Sequence, residues 1–562
     1  MQPCCALSDP RMKLLSVLSR QMRLLRTISH LKPRQIAYQL IRRLGPKRRL
    51  SVPAGVTPSL GRRLAPTLPR HCGGEAWALT FIGVRKTFDP SRFDWASMDL
   101  DKLWRYNLHY FDYLHEPGRN NGPELIESWI AANPQGREDA WEPFPVSLRL
   151  VNWIKFFLSP GAPSPLPPAW LESLALQVEW LTGNIEYHLL ANHYFKNAKA
   201  LVFAGVFFEG AQARKWLELG LRILGEELGE QILPDGGHFE RSPMYHCMIL
   251  EDCLDLWNLC QGSGLDALSA LRERLEAVLP GMLAFAGGLT HPDGGIALFN
   301  DAALGIEPGH AELAAYHERL GGEPVQAGHG RVLSFPGSGY CRLSPRPGDV
   351  LIMDCGPIGP DYQPGHAHCD TLSFEMSLDG RRVIVDSGCR QYVDGDIRRY
   401  NRGGVGHNGL IIDRVDQSEV WGAHRVGRRA HPVHALARED GSTLFCEGAH
   451  DGYAHLSGSP MHHRRIAWSG NRIEIRDRVE GRGRHEVELR LHLHPGMPFA
   501  PNGKGVLLGD NLRITSLHGP LAVERGWYCP EFGRQETCPV LYVRQTASLP
   551  WEGGFVLERV GD

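Results

Sequence analysis

The sequence of 562 residues holds thirteen cysteines but no CxxC pair, and an odd number cannot all pair internally. This excludes a disulfide scaffold or a zinc ribbon and leaves mostly reduced core thiols. No run approaches the roughly 18–20 apolar residues that a membrane-spanning helix needs. Arginines interrupt LLSVL and MRLLRTI near the start, and neither a clear h-region nor an A-x-A cleavage site follows. The expectation is therefore a cytoplasmic protein or one peripheral to the inner membrane, with a periplasmic location left open. Net charge is lacking too: at a formal −2 the chain has no bulk attraction for nucleic acid or membrane. Internal repeats and low-complexity segments are absent.

What charge there is lies unevenly. The first fifty residues carry twelve Lys/Arg against one acid, Asp9. Residues 12–45 read as a basic amphipathic helix pair, attached either to an anionic membrane surface or partner, or packed as a solvated arm on the next domain. Met12 is a second candidate start. At 42% hydrophobic and 22% charged residues, the whole is a globular protein long enough for two or three domains. Residues 50–75, rich in Pro, Gly and Arg, read as a linker. The stretch LWRYNLHYFDYLH then packs five aromatics and two histidines together. It is either a core-edge cluster or a surface on which sugar rings stack, with Tyr106 and His109 as substrate-binding candidates.

From about residue 123 to 290, apolar residues recur at three and four, as in PVSLRLVNWIKFFL and HLLANHYFKNAKALVFAGVFF, so serial antiparallel helices in a bundle, ring or toroid are predicted. Beyond GGEPVQAGHG the texture turns to short strands separated by turn residues, which predicts an antiparallel β-sandwich. The expected organisation is a basic arm and linker at 1–75, a helical domain at 76–325 and a sandwich at 326–562.

The most informative stretch is DYQPGHAHCDTLSFEMSLDGRRVIVD, residues 361–386. His366 and His368 are two apart before a strand-like run, so both rings can share one face. Asp379-Gly380 signals a hairpin turn, and pairing of the two strands would bring Asp386 back towards the histidines. Two imidazoles and a carboxylate suit zinc or another borderline cation if a third nitrogen arrives, and His407 in GHNGLIID is the best donor. Hydrogen-bonded histidines at strand ends are the alternative.

A helical domain carrying LLANHYFKNAKAL and DGGHFERSPMYH, followed by a sandwich carrying GPDYQPGHAHCDTLSFE, RRVIVDSG and GHNGLIID, resembles the heparinase II/III-like polysaccharide lyases, a superfamily that includes oligoalginate lyases. The resemblance covers most of residues 100–500 and is strongest to members associated with bacterial capsule and exopolysaccharide synthesis. It implies an N-terminal (α/α) toroid followed by a C-terminal antiparallel β-sandwich, acting on an acidic polysaccharide or oligosaccharide. It also implies one zinc ion, mainly structural, on His368, Asp386 and His407, leaving His366 to face the substrate.

The chemistry can be built from the residues. β-Elimination at a 4-linked uronate removes the C5 proton α to a carboxylate, so the carboxylate must be neutralised and the enediolate-like intermediate stabilised. Asn192 and His193 offer an amide and an imidazole for this. A base and an acid are also needed. Tyr245 stands where the family has its catalytic tyrosine, with His246 and His366 as further proton-transfer candidates. Glu240 and Arg241 either pair with each other or line the substrate, Arg241 gripping a carboxylate. The chain departs from the family in RGGVG before His407 and in Cys369 after the HxH, and Tyr400 is the nearest candidate for a second tyrosine. A uronyl C5-epimerase and a non-catalytic glycan-binding or assembly factor are the competing readings.

Overall fold

A computed structural model describes residues 20–44, 50–326, 328, 330–503, 505–509 and 511–560. Of the basic arm, residues 12–19 and 45 lie outside the described residues. The remainder is helical over residues 20–28 and Pro33–Leu44, the helix pair that the amphipathic pattern predicts.

Among the described residues, eight α-helices occupy the stretch from Lys102 to Gly288 and wrap into a ring. Within it the helix Ala191–Phe207 is buried at every position except His193 and Lys196. Close packing against Ala211–Gln231 depends on two glycines. A Cβ on Gly205 would lie 2.6 Å from Leu217, and one on Gly220 would lie 2.8 Å from Val202, so only the bare backbone lets these helices meet. The helix Pro243–Ser263 begins on a Ser242 cap whose side chain accepts from the Tyr245 amide, with Pro243 in the first turn.

Beyond Val332 the elements are mainly strands. Three antiparallel sheets of five, four and eight strands share one core, in which Phe374, Leu489, Ile466 and Phe555 are fully buried. Alternation explains how the strands reach that core: in Met461–Ser469 and Arg472–Glu480 every second residue is buried, and Ile466 faces Ile475 in register. The hairpin expected at Asp379-Gly380 is present, joining Phe374–Leu378 to Arg381–Ile384, with both turn residues at positive φ. The architecture is thus the helical toroid followed by an antiparallel sandwich.

Ring and sandwich meet along a polar seam. Arg382 donates to Asp293 at 2.7 Å, His291 pairs with Glu375 at 3.1 Å, and the Asp301 amide donates to the His366 carbonyl at 3.0 Å. These bonds fix the two halves in one register, and the candidate site lies on the same seam.

Candidate active site and metal centre

Asp301 is the hub of the seam. Its Oδ2 accepts from His366 Nδ1 at 3.0 Å and its Oδ1 from His368 Nε2 at 2.8 Å, while Arg398 pairs with both oxygens. Burial opposes ionisation here, yet Arg398 and the two histidines hold the carboxyl well below the usual carboxylate range. With Nδ1 turned to Asp301, the other ring nitrogen of His366, Nε2, lies 3.6 Å from Glu240 Oε2. Tyr245 stacks on this imidazole with ring centres 3.9 Å apart, and its hydroxyl meets that of Tyr392 at 2.9 Å. Burial, reinforced by Asp301 and Glu240, raises the Tyr245 phenol well above its ordinary value, so it stays protonated at neutral pH.

Asn192 and His193 divide their work. Asn192 is buried, and its Nδ2 donates to both Glu240 oxygens at 2.9 and 3.1 Å. His193 is the partly exposed partner, its Nδ1 donating to Glu186 at 3.1 Å. Burial alone would lower the His193 pKa, but the Glu186 carboxylate outweighs it and the net shift is upward. The backbone around these residues is unusual. Leu190, Ala191, Arg241 and Asn300, none of them glycine, all have positive φ, and they flank Asn192, Glu240 and Asp301.

Next to the hub, His368, Asp370 and His407 bring one ligand atom each within 4.8 Å of one another, all three residues buried. His368 Nδ1 and His407 Nε2 have no hydrogen-bond partner, a costly state for buried nitrogens unless a cation takes both lone pairs. Their far nitrogens are held by carboxylates, His368 by Asp301 and His407 by Asp386 at 2.7 Å. This is the outer-shell support typical of metal-binding histidines. The donor set fits zinc. This grouping differs from the expected set at one position: Asp370 stands with the two unpartnered nitrogens, whereas Asp386 accepts from the other ring nitrogen of His407. The proximity of Asp370 to His368 was legible, since Asp370 follows His368 by two, the same spacing as between His366 and His368.

Other expected residues sit elsewhere. His246, one residue after Tyr245, points about 100° away around the helix. It donates to the Met282 carbonyl at 2.9 Å, packs on Phe285, and is pushed by burial to about 4. Arg241 does not pair with Glu240; its guanidinium donates instead to the carbonyls of Ser338, Phe239 and Gly337. His109 is buried with Nδ1 accepting from Trp129 Nε1 at 3.1 Å. It lines a cavity of about 680 Å³ with Trp95, Lys102 and Glu142. Tyr106 is half-buried and bonded to Glu142. Tyr400 bonds His492 at 2.9 Å away from Tyr245, and the tyrosine beside Tyr245 is Tyr392. Sequence reasoning also missed Glu186 and Asp301, which come from loops without periodic pattern.

A helical toroid closed by an antiparallel sandwich, with imidazoles, phenols and carboxylates converging on the seam, defines the structural class. Residues 124–311 match the family described as "Heparinase II/III N-terminus", and residues 328–549 match "Heparinase II/III-like, C-terminal". The chain belongs to the heparinase II/III-like family. A "Heparin-sulfate lyase" of Bacteroides thetaiotaomicron is 25% identical over 419 residues, 66% of this chain and 56% of the relative. This chain therefore spans little more than half the length of that relative. "FtsZ-localized protein C" of Caulobacter vibrioides is 24% identical over 465 residues, 77% of each chain. Among solved structures, one titled "Crystal Structure of Heparinase III" aligns with a TM-score of 0.66 at 20% identity, covering 84% of this chain and 80% of the other. At that identity the likeness is one of fold.

Proposed function

We propose that this protein is a polysaccharide lyase that cleaves a uronic-acid-containing glycan by β-elimination. The observation that carries the reading is the convergence on one seam of a proton acceptor, a proton donor and a cationic donor. His366 is oriented by Asp301 through Nδ1 with its Nε2 beside Glu240, Tyr245 is a neutral phenol stacked on it, and His193 is held towards its charged form by Glu186. In the proposed reaction His193 neutralises the uronate carboxylate. His366 takes the C5 proton, and Tyr245 protonates the departing glycosidic oxygen. Asn192 and Glu240 support the carboxylate subsite, and Tyr106 lies beyond it as an outer sugar contact. Relatives called heparin-sulfate lyases support an acidic polysaccharide as the substrate class. A role in exopolysaccharide or capsule metabolism belongs to the same proposal and rests on the motif resemblance.

The metal group is part of the reading. Zinc bound by His368, Asp370 and His407 would supply structural cross-linking, and Asp301 would connect that centre to His366. Asp301 itself orients the His366 ring and compensates Arg398.

The test is to incubate the purified protein with a panel of uronate polysaccharides and follow the ultraviolet absorbance of unsaturated uronate. Appearance of that product supports the lyase. Solvent deuterium at C5 without chain cleavage would identify an epimerase instead, and neither signal would favour the non-catalytic glycan factor.

A further inference from the structure

The N-terminal helix pair has its amphipathicity inverted. A helix packed on a protein ordinarily buries its apolar face and leaves its polar face in water. Here the inward face is polar. Arg23 and Arg26 pair with Glu419 at 3.3 and 3.1 Å, and Thr27 accepts from Trp421 at 3.1 Å. Just before the second helix Lys32 bonds Glu230 and sits over the Tyr362 ring, and on it Arg34 reaches Glu227 at 3.6 Å. Gln35, the only buried residue of Pro33–Leu44, donates to the Tyr362 carbonyl at 3.2 Å.

The outward face is apolar. Leu25, Leu40, Ile41 and Leu44 are 61, 53, 55 and 82% exposed, joined by Met22, Leu24, Ile28 and Ile36. Ile36, Leu40 and Leu44 follow at i, i+4 and i+8, so they form one stripe along the outer side of the helix. Eight large apolar side chains on two short adjacent helices form a patch, which differs from the isolated exposed residues found elsewhere on this surface.

Charge decides between occupants. Exposed Arg20 and Arg43 border the stripes, whereas Arg42 turns inward to His188, and the first fifty residues hold twelve Lys/Arg against one acid. Two copies meeting through this face would bring like charges together. An anionic phospholipid surface satisfies both features at once, taking the apolar side chains at the acyl boundary and the arginines among the headgroups. We infer that the helix pair docks this protein on an anionic membrane surface, lying in the interfacial plane. The inward bonds then have a second meaning. The pair is tied to the ring through Glu227 and Glu230 and to the sandwich through Glu419 and Tyr362, so docking holds both halves of the seam beside the bilayer. The inference is independent of the reaction proposed above.

The test is co-sedimentation of the full chain with vesicles of phosphatidylcholine, with and without phosphatidylglycerol. Expected is binding to the phosphatidylglycerol vesicles that weakens as salt is raised. The combined variant Leu40→Glu, Ile41→Glu, Leu44→Glu should bind at least about tenfold more weakly, with an unchanged melting temperature. If that variant melts early, Leu44→Glu alone, at the most exposed position, should still lose binding several-fold. Absence of sedimentation with either vesicle, equal binding to phosphatidylcholine alone, or undiminished binding of the variants would overturn the inference. So would a concentration-dependent dimer that the same substitutions abolish in the absence of vesicle binding, since it would assign the face to a second copy.

Discussion

The hydroxyls of Tyr245 and Tyr392 meet at 2.9 Å across the seam, one from the helical ring and one from the sandwich. Tyr245 also lies flat on His366, so a phenol from the ring and an imidazole from the sandwich form a single unit. Burial keeps the Tyr245 phenol neutral, which fits a donor to a leaving oxygen. Tyr245→Phe retains the ring stacking and removes the proton. Turnover on the cognate polymer should fall by about 10²–10⁴-fold with the melting temperature nearly unchanged. Tyr392→Phe removes only the neighbour's hydroxyl and should cost about tenfold. A Tyr245→Phe enzyme with a normal rate would end the assignment.

The His193–Glu186 pair makes a prediction about pH. The folded-state pKa of His193 lies above its ordinary 6.5, so the ring is cationic below that raised value and loses its proton as pH climbs through it. The stability contributed by this shift follows the same sign, being fully present below the ordinary value and lost as pH rises through the raised one. Activity should therefore show an alkaline limb. Glu186→Gln leaves burial acting without the compensating charge, and the limb should move to lower pH. A pH profile identical to that of the parent would show that His193 does not act as the cation.

For the metal group, elemental analysis should find about one zinc per chain. His368→Ala and Asp370→Asn should each remove most of it and lower the melting temperature, because binding energy contributes directly to folding. Asp386→Asn disturbs only the hydrogen bond behind His407 and should weaken affinity by about 10–100-fold. Near-complete loss in Asp386→Asn with full retention in Asp370→Asn would restore Asp386 as the ligand.

The sequence makes some of this architecture plain and hides the rest for identifiable reasons. The helical ring and the sandwich were legible because apolar periods of three and four, and then of two, persist over hundreds of residues. The Asp379-Gly380 turn was equally legible, since its chemistry is local. Pairwise geometry was harder. His246 beside Tyr245 looked like a partner, but adjacent residues on a helix cannot face the same way. Arg241 read either as a partner of Glu240 or as a carboxylate grip, whereas the residue has positive φ and its side chain donates to carbonyls of Ser338, Gly337 and Phe239. Tyr392 and Asp301 carry no periodic signal at all. Their importance appears only when the ring and the sandwich are brought together.

Asp301 yields the most demanding prediction, because one carboxylate serves three partners. His366 and His368 donate to different oxygens, and Arg398 pairs with both. Asp301→Asn keeps the shape but removes the charge and one acceptor. Arg398 is then left buried beside a neutral amide, and uncompensated burial of that kind typically costs about 3–5 kcal/mol. A loss of melting temperature alone would therefore be uninformative about catalysis. The discriminating readouts are zinc content and the separation of kcat from KM. If Asp301 orients His366, kcat should fall by about 10²-fold or more at a temperature where the variant remains folded, with KM nearly unchanged. Zinc should fall less than in His368→Ala, since His368 itself remains. Normal kcat in folded Asp301→Asn would remove Asp301 from the proton-transfer scheme and leave it a purely structural tie between ring and sandwich.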